Sequence, residues 1–369
     1  MNRRRFLRRA SAGVAGLAML AGCTSSGNSG NPDSGTNAGG VTTASGKPSG
    51  TLNIATYSSF TGKGTAGNWL KSAFESEYPK VTVEFTIPEN GVNQYVGRAI
   101  QGAPIDADLY VGLNTSELVR VSQKLDSPLF QPVRNRLDRA DTIKNGLKID
   151  PKGRAIPYDT GYITLVYNAE KVKNPGTFDA LLKSRYAGDL ITENAQQSDP
   201  GRAFLLWSII AKGKNNYLDY WKKLIDNGVN VLSDWEPAYQ AYMNGEAPMV
   251  ASYSTDQVYY HGPDVDISKH QVGFLNGQGY ANPEAMALFA NSNNPELGRL
   301  FMDFVLTKKA QSQIAVRNVQ FPAVKGVTPS KEFSKYAKEP PEAVTFSYDE
   351  LAGSVETWVE EWARLVASA

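Results

Sequence analysis

Residues 81–91, V-T-V-E-F-T-I-P-E-N-G, decide the fold class of this chain. Val81, Val83, Phe85 and Ile87 alternate with Thr82, Glu84 and Thr86, and a period of two puts every second side chain on one face of a sheet. Upstream, Trp69, Leu70, Ala73 and Phe74 recur at helical spacing until Pro79 stops the helix. Before that helix, Thr51–Tyr57 carries Leu52 and Ile54 in a strand pattern. Downstream, Val92, Tyr95, Val96, Ala99 and Ile100 form one helix face, and Ala107–Leu113 reads as a short buried strand. The order β-α-β-α-β at these spacings predicts a parallel sheet covered by helices. Ligands of such sheets bind beyond the C-terminal ends of the strands. Those ends are Tyr57-Ser58-Ser59, Glu89-Asn90-Gly91 and Gly112-Leu113-Asn114, each polar or Gly-bearing.

A second α/β unit follows. Ile156–Tyr162 leads into a strand at Ile163–Tyr167, a helix is expected around Phe178–Ser184, and the turn Gln197–Gly201 opens an apolar helix running from Arg202 toward Lys212. Ser198 or Asp199 before Pro200 is a helix-start signal, because such side chains cap orphan amides and Pro suits the first turn. The same amides can receive an anion. Pro248–Tyr253 closes the unit as a strand, Asn294-Pro295-Glu296 opens another helix, and a last helix near Val355–Val366 carries Trp358 and Trp362 at i, i+4 for packing.

The richest candidate site is 235–261, W-E-P-A-Y-Q-A-Y-M-N-G-E-A-P-M-V-A-S-Y-S-T-D-Q-V-Y-Y-H. Tyr239 and Tyr242 fit the apolar stripe of a helix. Trp235, Tyr253 and Tyr259 stand at element ends, where recognition residues concentrate, beside Ser254, Thr255 and the carboxylate of Asp256. Such a wall suits a flat cation: each aromatic face attracts one by ~0.5–2 kcal/mol, and a few placed polar groups fix its orientation.

The chain begins with an address label. Arg3, Arg4, Arg5, Arg8 and Arg9 precede an apolar run from Ala10 to Ala21, too short for the ~20 residues that span a bilayer. This is secretory signal architecture, the R-R-R-F-L-R start resembles a twin-arginine signal, and Leu20-Ala21-Gly22-Cys23 resembles a lipobox. Residues 1–22 are therefore expected to be removed and the thiol of Cys23 to carry lipid. Cys23 is the single cysteine, so no intramolecular disulfide is possible. Residues 24–50, rich in Ser, Gly, Thr and Asn, read as a flexible tether, giving a lipid-anchored linker over 23–50. With 38 Lys+Arg against 37 Asp+Glu, and no basic block beyond the leader, nothing points to nucleic acid. No internal repeat is visible. The chain has no G-x-S-x-G elbow, no H-E-x-x-H and two histidines, which argues against an extracytoplasmic hydrolase and for a binder that is not an enzyme.

Several stretches together resemble the thiamine-binding periplasmic proteins, substrate-binding components of ABC importers. They are T-Y-S-S-F, E-N-G-V, A-D-L-Y-V-G-L-N, P-Y-D-T-G-Y-I-T-L-V-Y-N, K-V-K-N-P, S-D-P-G-R-A-F-L-L-W, W-E-P-A-Y, Y-S-T-D-Q-V-Y, F-S-Y-D-E-L and W-V-E-E-W, in this order from about Thr51 to the C-terminus. The resemblance implies an α/β, two-lobed class II periplasmic-binding-protein fold. Each lobe would be a sheet flanked by helices, with the ligand in the cleft between them. Lobe 1 would comprise 51–157 and 281–330, lobe 2 158–280, and 331–369 would form C-terminal helices packing on the lobes. It places Tyr57, Asn90, Gly91, Ser198, Asp199, Trp235, Tyr253, Ser254, Thr255, Asp256 and Tyr259 at ligand-binding positions, with Tyr57, Trp235 and Tyr259 sandwiching the ligand. Asn90 stands where an Asp is familiar, Asp199 where a Thr is, and Ser58 where an Asp is common. These departures bear on the polar ends of the ligand more than on its rings.

The implied ligand is thiamine or a thiamine phosphate, and the implied partner is an importer permease. A monomer outside the cytoplasm, held by its lipid, with no cofactor and no metal, is expected. Thiamine carries a thiazolium cation and an aminopyrimidine. Three cation–π contacts of ~1 kcal/mol each fall short of the ~12 kcal/mol of nanomolar affinity, so apolar burial and lobe closure must supply most of the rest. The rival on the same fold is a ferric-iron carrier, since Tyr259-Tyr260-His261 resembles an adjacent-tyrosine iron site. A polyamine or a sugar is a further alternative.

Overall fold

A computed structural model describes residues 47–368; the leader, Cys23 and most of the tether lie outside the described residues. Chain order begins β1 (Ser49–Ala55), α1 (Ala66–Glu77), β2 (Lys80–Thr86), α2 (Val92–Ile100), β3 (Leu109–Leu113) and α3 (Thr115–Lys124). Both β2 and β3 pair with β1 in parallel. The alternation read in β2 is literal: Val81 and Val83 are buried while Thr82, Glu84 and Thr86 are exposed. Their apolar face meets Leu70 and Phe74 of α1. Thr65 caps α1 by accepting from the amide of Asn68, and Asn114 with Glu117 forms a reciprocal capping box on α3.

Next comes β4 (Ala155–Tyr167), 13 residues long and continuous. The sequence suggested a strand from Ile163 only, with Ile156–Tyr162, which contains Pro157 and Gly161, leading into it. Pro157 is tolerated because the ladder to its neighbour is irregular between Pro157 and Asp159. The helix expected around Phe178–Ser184 is instead two 3-10 turns, Ala180–Leu182 and Ser184–Tyr186. So short a segment cannot offset helix nucleation, and the turns already bury Phe178, Leu181 and Tyr186.

The second unit is β5 (Leu190–Glu193), α4 (Asp199–Lys212), α5 (Tyr217–Asp226), β6 (Asn230–Leu232), α6 (Trp235–Asn244), β7 (Met249–Tyr253) and β8 (Gln271–Gly273). The long β9 (Gln278–Leu288) then returns antiparallel to β4. It is followed by α7 (Pro295–Val305), α8 (Lys308–Arg317), β10 (Phe321–Pro322), α9 (Lys331–Tyr336), β11 (Glu342–Val344) and α10 (Val355–Ala367). The strands form one mixed sheet of order β2-β1-β3-β9-β4-β7-β5-β6, with β8 and β10 on β4 and β11 on β9. This is the α/β, two-lobed architecture: β4 and β9 run from the β1–β3 unit into the β5–β7 unit and belong to both.

Each unit has its own core. In the first, Phe74 meets Phe301 edge-on at 5.1 Å. In the second, Phe178, Phe204, Trp207 and Trp221 pack together, and Trp221 meets Trp362 of α10 at 5.4 Å. Trp358 and Trp362 are buried, the packing role their spacing suggested. From its seat on the second unit, α10 also reaches the first, where Arg120 of α3 donates to Glu356 at 2.5 Å. Among the described residues, no helix is long and apolar enough to cross a membrane.

Candidate functional site

The start of α6, the end of β7 with the segment after it, and the turn after α8 converge on one cleft, whereas the ends of β1, β2 and β3 are not on its lining. Trp235, Tyr239, Ser252, Tyr253, Thr255, Asp256, Tyr259, Tyr260, Val319 and Gln320 line a space that opens to solvent. Asp234 starts α6 as its N-cap, which sets Trp235 at the helix mouth. The indole N–H donates to Ser252 Oγ of β7 at 3.0 Å, and one indole face stacks on Tyr239 at 5.1 Å and 26°. The stack continues from Tyr239 to Tyr260 at 6.0 Å and from Tyr260 to the His270 imidazole at 4.1 Å and 9°.

Asp256 anchors this wall from behind. Its Oδ1 accepts from Tyr239 Oη at 2.5 Å and its Oδ2 accepts from His270 Nδ1 at 2.8 Å. Burial first, then the Asp256 charge, pushes the Tyr239 phenol far above its ordinary range. Tyr239 is therefore a neutral donor. It is both the core residue its helical spacing suggested and part of the cleft surface.

Tyr253, at the end of β7, lies against Gly161 of β4: a Cβ there would come within 2.5 Å of the ring. Tyr57, just past β1, makes the matching approach to Gly112, where φ is +105° and a Cβ would come within 2.5 Å of the ring. Its hydroxyl donates to Glu284 Oε2 of β9 at 2.7 Å, and Tyr158 of β4 donates to the same oxygen. Asn318, the C-cap of α8, donates to Tyr57 Oη at 3.1 Å and to Asp159 Oδ2 at 2.8 Å. Burial, then Glu284, raises both tyrosine pKa values well above the usual range. Tyr57 is thereby tied to the two strands shared by the lobes.

The remaining sequence candidates divide. Thr255, Asp256 and Tyr259 line the cleft with Trp235 and Tyr253. Ser254 is fully buried and has no place on that lining; its amide donates to Tyr162 O and its carbonyl accepts from Lys338. Asn90 is exposed, and Gly91, at φ +53°, starts α2 beside the Tyr110 hydroxyl. Ser198 is the N-cap of α4. Asp199 pairs with Arg202 at 3.1 Å, so capping falls to Ser198 and Asp199 is left for charge.

Asp199 also belongs to a charged cluster spanning the lobes. Burial and then Asp199 push the Glu117 carboxyl up to about 8, with Arg202 and Arg120 opposing. Asp199 is itself raised, by burial first, while Arg202 and the Asn114 side chain lower it. Because Glu117 binds its proton more tightly in the folded state, its contribution to stability is complete below about 4.5. It is lost as pH rises through about 8. Thermal melts at pH 6 and pH 9 should show a smaller pH-dependent loss in Glu117→Gln than in the parent. Equal losses would show that Glu117 is not the titrating group.

The residues missed by sequence reasoning are Ser252, Val319 and Gln320 on the lining, and Glu284 and His270 behind it; Tyr260 was named only in the aromatic stretch and the iron-like run. The iron-like Tyr259-Tyr260-His261 run does not converge. Tyr260 faces His270, whereas His261 stacks on Tyr336 at 4.2 Å and bonds to Gln257 O and Glu332.

A family model described as bacterial extracellular solute-binding protein matches residues 69–341. The chain belongs to the bacterial extracellular solute-binding proteins. Within this family it resembles thiamine-binding periplasmic proteins over most of its length. That of Escherichia coli (strain K12) is 29% identical over 317 residues, covering 86% of this chain and 93% of the relative. That of Haemophilus influenzae is 27% identical over 277 residues, covering 74% and 80%. Among solved structures, a periplasmic thiamin binding protein superposes with TM-score 0.75 at 27% identity, covering 89% of this chain and 99% of the other. A ferric binding protein from Campylobacter jejuni superposes with TM-score 0.71 at 17% identity, covering 85% and 99%. At that identity the second likeness speaks for the fold alone. These relatives are solute-binding proteins rather than enzymes.

Proposed function

We propose that this solute-binding protein captures thiamine in the cleft walled by Trp235, Tyr253 and Tyr259 and delivers it to an ABC importer. The observation that carries the reading is the aromatic stack ending at Trp235, backed by the carboxylate of Asp256. Flat cationic rings are attracted to aromatic faces, and curated relatives covering most of the chain are named for thiamine. In this reading Tyr57, Asn90, Gly91, Ser198, Asp199, Ser254, Thr255 and Asp256 complete the site, Ser254 acting through the backbone it anchors. The lobes, 51–157 with 281–330 and 158–280, close about β4 and β9, as hinged binding proteins do. Lipid on Cys23 and the 23–50 tether hold the monomer in the periplasm or at the outer face of the cytoplasmic membrane.

The phosphate esters are disfavoured. At about 5 Å and an effective dielectric of ~20, a carboxylate at Asp199 repels a phosphate charge by ~3 kcal/mol before screening. Arg202, paired with Asp199 at 3.1 Å and held by the Ala195 and Gln196 carbonyls, offsets part of this repulsion. Native mass spectrometry of the purified protein, followed by competition among thiamine, its monophosphate and its pyrophosphate, tests both statements. The expected order is thiamine first. Retention of ferric ion, a polyamine or a sugar in place of thiamine would refute the assignment, and preference for an ester would refute the role of Asp199.

A further inference from the structure

The turn from Asn318 to Gln320 crosses the floor of the cleft, and two independent features set it apart. Val319 has φ +57°, a conformation that is a true outlier for a β-branched residue. It is held there by its surroundings. Its side chain packs with Ala315, Phe321 and Phe333, Asn318 is bonded to Asp159 and Tyr57, and Phe321-Pro322 pairs with Thr160-Asp159 of β4. Backbone strain of this kind persists only where the structure over-determines it, and it clusters at ligand clamps.

The second feature is the Gln320 carboxamide. Gln320 is 5% exposed, it lines the cleft, and its Oε1 has no hydrogen-bond partner. Buried acceptors in native proteins are almost always satisfied, so an orphan calls for an explanation. The oxygen lies over Gly161 beside the Tyr253 ring; a Cβ at Gly161 would come within 2.6 Å of Oε1. Gly161 thus leaves room for both groups on the cleft floor.

We infer that Gln320 is a ligand-contacting residue whose carboxamide oxygen accepts a hydrogen bond from an N–H donor on the bound molecule. The strained turn at Val319 sets its direction. The inference rests on the thiamine reading, in which the donor is the exocyclic amine of the aminopyrimidine. Gln320 then selects an amino-bearing heteroaromatic ring, which the aromatic wall alone does not distinguish from any other flat cation.

Calorimetric affinities for thiamine and for 4′-deaminothiamine, in which hydrogen replaces the amine, test this in the parent, Gln320→Leu and Gln320→Glu. The parent should favour thiamine by about tenfold, the scale of one hydrogen bond. Gln320→Leu should lower thiamine affinity to that of the deamino compound, leave the latter unchanged, and so bring the ratio near unity. Gln320→Glu, which keeps an acceptor, should retain the preference. A folded Gln320→Leu that keeps the parent ratio would overturn the inference, as would a Gln320→Glu ratio near unity if the leucine variant does not fold. A parent that never saturates with thiamine refutes the thiamine reading itself. A parent that binds thiamine with a ratio indifferent to residue 320 refutes the role of Gln320 alone.

Discussion

Replacing Trp235 with alanine should weaken thiamine binding by about 2 kcal/mol or more, as loss of a hot-spot aromatic does. The indole is held from two sides, by the bond to Ser252 Oγ and by the Tyr239 ring. Little side-chain freedom is then lost when a ligand covers its other face. Alanine removes that face and also uncovers Tyr239, so the variant loses both contact and pre-organisation. Thiamine titration should change tryptophan fluorescence in the parent, and calorimetry gives the affinity difference. A folded variant binding within a few tenths of a kcal/mol of the parent would make Trp235 a packing residue only.

Gly112→Ala should destabilise the protein by about 3 kcal/mol, combining backbone strain with overpacking, each ~1–3 kcal/mol. The backbone at φ +105° disfavours any side chain, and the new Cβ would meet the Tyr57 ring at 2.5 and 2.6 Å. Moving that ring also pulls its hydroxyl from Glu284, loosening the tie between the cleft and β9. Urea unfolding should show a lower midpoint with an unchanged slope. A midpoint equal to the parent's would show that Tyr57 can leave Gly112 at no cost.

What could be read from the sequence follows from which interactions are local. The alternation of β2, the Thr65 and Ser198 caps and the stripe of α6 are set by residues within one turn or one pleat of each other, so they are visible in the string. The same holds for Trp235, Tyr253 and Tyr259, whose places follow from where α6 and β7 begin and end. Tyr158–Glu284 and Asp256–His270 bring together residues from separate elements, with no periodicity linking them. β4 was under-read because Pro157 and Gly161 normally punctuate a strand. Here one sits at an irregularity in the ladder and the other gives space to Tyr253 and Gln320. Gln320 itself stands between an apolar residue and Phe321 with no motif around it, and only the fold shows that its oxygen lacks a partner.

The resemblance to thiamine-binding proteins singled out Trp235, Tyr253 and Tyr259, which line one cleft, whereas the polar details belong to this chain. Asp199, standing where a Thr is familiar, pairs with Arg202 and faces Glu117. This helix start therefore presents an ion pair where the family pattern has a hydroxyl.

Calorimetric titration of thiamine into the purified protein tests the central claim most directly. The account predicts one saturable site, with an affinity that falls when Trp235 is replaced by alanine. No saturable heat with thiamine, alongside stoichiometric binding of ferric ion, a polyamine or a sugar by the same preparation, would contradict it.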